Sequence, residues 1–194
     1  MSAQFDISNF LADYLTKGFY RFNAEEVLSK FNIDLFMPMK TGDHTFKTTL
    51  PEERYNFYFE KQKRELYKLK DLLLEYYFVH FNCDLRFNDM WASVGENVTG
   101  WHSDRMNCWP GFNSSVNCYF DTSSPETGGE LQLSTVVARP PDQGGPKRIV
   151  ESVYPERFDV IVINQGIDFL HQVTPSPIQR RMISHAAAFY DFNQ

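Results

Sequence analysis

The sequence predicts an α+β fold, mainly β, in which a helical first third supports a later set of short strands. Three observations carry that expectation. Apolar residues recur at helical spacing up to about residue 82, and from about Cys83 the period falls to two. Turns rich in Gly and Pro punctuate the second stretch, at Gly95, Pro110-Gly111, Gly128-Gly129, Pro140-Pro141 and Gly166. Helices first and strands after is α+β ordering rather than alternating βαβ, and many short strands suggest a sandwich or barrel. At 194 residues the chain reads as a single domain over 1–194, with 1–82 mostly helical support and 83–194 the β core. Folding at this size removes roughly 70% of the unfolded chain's surface from water, enough for a core without staples. The aromatic share of 16%, with 18 Phe and 10 Tyr, favours a densely packed, β-rich interior.

Asp6 is a cap candidate ahead of apolar residues at helical spacing, Phe10, Leu11, Tyr14 and Leu15. Residues 24–31 form a second, shorter helical piece, and 37–49, with Pro38 and Gly42 among polar residues, a loop or short hairpin. Pro51 in the first turn and Glu52-Glu53 near the positive end of the dipole open a long helix. Within it Leu66, Leu69, Leu73 and Tyr76 supply the apolar stripe, and Lys61, Arg64, Lys68 and Lys70 the solvated side. The strands expected after that are 85–94, 115–120, 129–134, 149–154, 159–164, 169–173 and 181–189. There is no internal repeat.

The net charge of −6 and pI of about 5.4 count against nucleic acid as a partner, because phosphate neutralisation supplies most duplex affinity. No apolar run approaches the roughly 18–20 residues needed to span a bilayer, so no membrane partner is expected. Residues 1–10 lack a signal pattern, and Cys83, Cys108 and Cys118 are odd in number and not in metal-ligand pairs. The expectation is a reducing, cytoplasmic compartment.

Five histidines are present, and two stand in telling contexts. His102-Ser103-Asp104 places two ligand types at i and i+2, which an extended segment points to one side. His171 ends a later strand and can supply a third. Two imidazoles and one carboxylate on one face of an octahedron leave three positions open, the arrangement of non-haem Fe(II) enzymes. Zinc would more readily take a closed site richer in His or Cys. Ten residues after His171 stands Arg181, with Arg180 beside it. An arginine there can fork onto a carboxylate with two charge-assisted hydrogen bonds, each worth about 1.5–3 kcal/mol. Strand alternation lets only one of the two arginines face the pocket.

The segments Trp101-His102-Ser103-Asp104, Asn117-Cys118-Tyr119-Phe120-Asp121, Thr127-Gly128-Gly129-Glu130-Leu131 and His171-Gln172-Val173-Thr174-Pro175 through Arg181 give the chain its affinity to a known group. Over about 87–192 it resembles the Fe(II)/2-oxoglutarate-dependent dioxygenases, most closely their prolyl-4-hydroxylase-like branch. The resemblance implies a double-stranded β-helix, a jelly-roll or cupin-like core, with the N-terminal helices packed on its outer face. It implies that His102, Asp104 and His171 ligate Fe(II) and that Arg181 holds the distal carboxylate of 2-oxoglutarate, the ten-residue offset favouring Arg181 over Arg180. Tyr119 would donate a hydrogen bond to the same carboxylate, and Asn117 and Ser115, on its face, could add polar contacts. His185, sharing a face with Arg181 and Ile183, could line the pocket or be an ordinary buried histidine.

The implied reaction couples decarboxylation of 2-oxoglutarate by O₂, giving succinate and CO₂, to hydroxylation of a C–H bond in a small molecule or a protein side chain such as a prolyl residue. Asp104 argues against the halogenating variants, which resemble this group but lose that carboxylate. Two alternatives stand beside this reading: a nucleic-acid N-demethylase, which should show a basic groove and a stacking loop, and a catalytically silent jelly-roll binding module. Trp91 and Ser93 could line the pocket, 105–113 could face substrate, and 140–148 could be a lid or a plain surface loop. His44, His80, Cys108 and Cys118 receive no role.

Overall fold

The computed structural model describes residues 6–42, 45–48, 52–79, 81–95, 99–103, 113–136, 147–166, 169–178 and 180–189. Helix α1 (Ile7–Thr16) starts where Asp6 accepts hydrogen bonds from the Ser8 and Asn9 amides at 2.9 and 3.3 Å, as the cap candidate requires. A short helix α2 (Glu25–Leu28) and a 3-10 turn (Ile33–Leu35) follow. The long helix α3 (Glu52–Tyr76) buries Leu66, Leu69 and Leu73 at steps of three and four. Tyr76 departs from the expected stripe: the helix ends there and Tyr76 is half exposed, under Lys30. Tyr77, in the turn that follows, takes the buried place and donates to Glu26 at 2.9 Å.

Among the described residues the strands form two sheets. The larger has seven strands in the order β1 (Phe19–Asn23), β9 (Asp159–Asn164), β6 (Ser114–Tyr119), β11 (Arg180–Phe189), β4 (Cys83–Gly95), β2 (Met37–Gly42) and β3 (Thr45–Thr48). The smaller has four, β5 (Thr99–His102), β10 (Phe169–Val173), β7 (Leu131–Val136) and β8 (Lys147–Val153). The pairings are antiparallel except β2 with β4. This is the double-stranded β-helix expected, with two strands outside the expected set: β5 (Thr99–His102), which carries His102, and one in the first third. Phe19–Asn23, within the stretch read as helical, pairs with β9 and extends the large sheet. The 37–49 segment is the hairpin of β2 and β3.

Strand alternation divides the core in two. Val116, Cys118, Val160, Val162, Ile183 and Ala187 face one way and pack with Phe10 and Tyr14 of α1 and Leu66, Leu69 and Leu73 of α3. Tyr119, Ile161, Ile163 and Met182, from the same strands, face the other way and pack with Leu131 and Leu133 of the small sheet. Both faces of the large sheet at β9, β6 and β11 are thus buried, one under helices and one inside the β-helix. Among the described residues no helix is long and apolar enough to cross a membrane.

His185 belongs to the helix-facing side, with its Nε2 3.6 Å from Cys118 Sγ, so it does not line the interior. Burial drives its pKa down from the ordinary 6.5 to about 3. The imidazole is therefore neutral in the folded chain while the unfolded chain takes up a proton below pH 6.5. Stability from this site is complete above pH 6.5 and falls by about 1.4 kcal/mol per pH unit as the pH drops towards 3. Urea unfolding should show His185→Leu losing about 2 kcal/mol less than the parent between pH 7 and pH 5. Equal losses in the two proteins would refute the assignment.

Candidate metal and co-substrate site

The two histidines picked out by spacing meet on the small sheet. His171 of β10 lies directly opposite His102 of β5 in the antiparallel register, with ring centroids 4.2 Å apart and planes tilted by 52°. Between this pair and the next, Val173 opposite Thr99, β5 carries one extra residue. Such a bulge bends a strand and re-aims its side chains. His171 is buried and His102 half-buried. His102 Nδ1 stands 2.6 Å from the Gly100 carbonyl oxygen, which can only accept, so Nδ1 carries the hydrogen. The ring's lone pair is then on Nε2, the tautomer a metal ligand needs.

Two imidazoles bound side by side at about 2.1 Å to one ion would have ring centroids roughly 4–5 Å apart. The observed separation fits. Among the described residues no group of three His, Cys, Asp or Glu side chains gathers for a metal, and Asp104, the third expected ligand, lies outside them.

At the strand that follows, the geometry corrects the sequence expectation. Arg181 does not face the interior. Its Nε donates to Asp121 Oδ2 at 3.0 Å, its NH2 to Asp121 Oδ1 at 2.5 Å and its amide to Oδ2 at 2.7 Å. Burial acts to raise the Asp121 pKa, but these bonds hold it below the usual carboxylate range. Arg180 is the interior arginine, 3% exposed, on the face it shares with Met182 and Ser184. The sequence reading grouped Arg181 with Ile183 and His185 correctly, but that face packs under the helices.

Arg180 NH1 donates at 2.9 Å to both Ser123 Oγ and the Gly129 carbonyl, which fixes the plane of the guanidinium. Gly129 has φ +76°, and a Cβ built on it would collide with the Arg180 guanidinium. The neighbouring Gly128 has φ +67°, and a Cβ there would collide with the Pro175 carbonyl. The glycine pair thus lets the turn before β11 and its arginine pack close. Tyr119 is buried in the interior cluster and sits close enough to Arg180 for each to bias the other's ionisation. Burial nonetheless holds its phenol above the usual range, leaving it protonated at neutral pH and able to donate.

Asn117, also half-buried, accepts a 2.6 Å hydrogen bond from Ser184 Oγ across the strand pair. Ser115 Oγ accepts from Gln165 Nε2 at 2.8 Å, and Gln165 Oε1 accepts from Ser103 Oγ at 3.2 Å. Ser103, Gln165 and Ser184 were not singled out from the sequence. Gln165-Gly166 carried only a turn signal, and Ser103 is the unremarked middle of His-x-Asp. The described residues exclude 104–112 and 137–146, so most of the expected substrate-facing loop and of the lid, and also His44 and His80, lie outside them; of Trp91 and Ser93 only the backbone, in β4, is described.

No protein-family model and no curated protein matches the chain. Solved structures do. A prolyl-4-hydroxylase from Pseudomonas putida superposes with TM-score 0.52 at 14% identity, covering 98% of this chain and 99% of its own. An oxidoreductase of the 2OG-Fe(II) oxygenase family from Burkholderia pseudomallei gives TM-score 0.51 at 14% identity, covering 98% and 94%. SnoN, a non-haem α-ketoglutarate-dependent epimerase from nogalamycin biosynthesis, gives 0.52 at 13%, covering 96% and 86%. The chain shares the fold of these structures, a double-stranded β-helix with helices on one face. Coverage of nearly the whole P. putida chain means that the shared oxygenase fold includes the N-terminal helices as well as the β-helix. The resemblance read from 87–192 therefore extends, at the level of fold, to the supporting third.

Proposed function

We propose that this chain is an Fe(II)- and 2-oxoglutarate-dependent oxygenase that hydroxylates a C–H bond. The observation that carries the reading is the pairing of His102 with His171 on one sheet, together with a buried Arg180 beside Tyr119 on the facing sheet. His102 and His171, with Asp104 from the adjacent segment, would hold the metal. When bound, Fe(II) would supply open positions and relay electrons, so that decarboxylation of 2-oxoglutarate and oxidation of the substrate C–H bond, two electrons each, reduce O₂ and give succinate, CO₂ and the hydroxylated substrate.

The chain's own residues do the positioning. Hydrogen bonding to Gly100 presents His102 Nε2. Arg180, rather than Arg181, would fork onto the distal carboxylate of the co-substrate, and its burial would strengthen that pairing by excluding water. Tyr119 O–H would add a neutral donor to the same carboxylate, and Asn117, oriented by Ser184, would line the cavity between carboxylate and metal. The neighbouring apolar wall of Ile161, Ile163, Leu131 and Leu133 keeps water from the reacting centre. The substrate class is a small molecule or an amino-acid side chain, prolyl included.

Anaerobic addition of 2-oxoglutarate to the Fe(II)-loaded protein tests this without knowledge of the substrate. The expected result is a saturable visible charge-transfer band at one equivalent of each. Folded, iron-loaded protein that binds 2-oxoglutarate without the band, or does not bind it, would overturn the proposal.

A further inference from the structure

One buried side chain outside the expected ligand set touches the metal-binding segment. Gln165 is 1% exposed, immediately after β9. Its backbone amide donates to the Asn113 carbonyl at 2.8 Å, anchoring it at the start of β6. Its side chain spans two elements: Nε2 donates to Ser115 Oγ on β6 at 2.8 Å, and Oε1 accepts from Ser103 Oγ at 3.2 Å. The chain of bonds has a direction, hydroxyl to amide oxygen and amide nitrogen to hydroxyl, which one orientation of the amide satisfies.

Ser103 is the residue between His102 and Asp104. Ser115 shares the interior-facing side of β6 with Asn117 and Tyr119, so the bond from Gln165 holds the Ser103 segment from the large sheet across the interior. Resting on the metal reading above, we infer that Gln165 is a positioning residue for the metal. It ties the segment carrying His102 and Asp104 to the large sheet, and so links the two sheets beside the expected ligands.

Partners that orient ligands typically change metal affinity by about 10–100-fold when removed. The test uses Mn(II) as the probe with the full chain, free aqua ion being counted by electron paramagnetic resonance, and thermal unfolding of the metal-free protein alongside. Gln165→Met and Ser103→Ala should each weaken Mn(II) binding about 10–100-fold. Ser103→Thr, which keeps the hydroxyl, should stay within about threefold of the parent. The double variant should be no weaker than the worse single one, because both break one path.

Ser103 is part-exposed, so Ser103→Ala carries the test even where Gln165→Met fails to fold. Mn(II) affinity within about threefold of the parent in Ser103→Ala overturns the inference. So does a variant that loses thermal stability while binding Mn(II) normally below its melting range. Failure of the parent itself to bind Mn(II) would instead overturn the metal reading, a distinct result.

Discussion

Arg180→Met is expected to weaken 2-oxoglutarate binding by about 10²–10⁴-fold, whereas Arg181→Met should leave it within about threefold. The first figure follows from two charge-assisted hydrogen bonds at about 1.5–3 kcal/mol each, lost in a water-excluded site. Methionine fills most of the vacated volume, so little of the effect would come from a cavity. Arg181→Met removes the fork to Asp121, whose side chains are 30% and 24% exposed, and should cost about 1 kcal/mol of stability instead. Anaerobic titration of each Fe(II) protein with 2-oxoglutarate reads the first effect, and urea unfolding the second. The opposite ranking would place Arg181 in the pocket. Gly129→Ala provides an independent check: its Cβ collides with the Arg180 guanidinium, so it should weaken 2-oxoglutarate binding without touching either arginine by mutation.

His171→Ala should lower metal affinity by more than about 100-fold, beyond what loss of an orienting partner costs. His171 is only 6% exposed, so the variant should also lose some stability, on the order of 1–2 kcal/mol. His185→Leu is the matched control, since His185 is equally buried but faces the helices. It should bind metal as the parent does. Anaerobic equilibrium dialysis against Fe(II) separates them, and equal loss in both variants would mean that the effect is general unfolding rather than ligand removal.

Much of this fold was legible in local pattern. The strands 159–164 and 169–173 fall where Asp159–Asn164 and Phe169–Val173 form, because short alternating or β-branched runs are bounded there by turn residues. The cap at Asp6 and the stripe of α3 were legible for the same reason: each depends on residues within a turn or two. The strand Phe19–Asn23 was not, since what makes it a strand is pairing with β9, some 140 residues later. Tyr76 and Tyr77 exchanged places because a stripe gives no sign of where its helix stops.

The arginine pair shows the limit most clearly. Phase along a strand is readable when one face is wet and the other dry. Both faces of the large sheet are buried at β9, β6 and β11, and β11 runs through a continuous series of buried residues from Ile183 to Phe189, so nothing local says which set looks inward. By itself the sequence determined helices α1 and α3, most of the strands after Cys83, the two histidines and the motif around them. Three things were decided only by the tertiary structure: that Arg180 is the interior cation, that His185 belongs to the helix side, and that Gln165 reaches Ser103 across 62 residues of chain. Each depends on which sheet face is covered by what, and that is settled by packing between elements far apart in sequence.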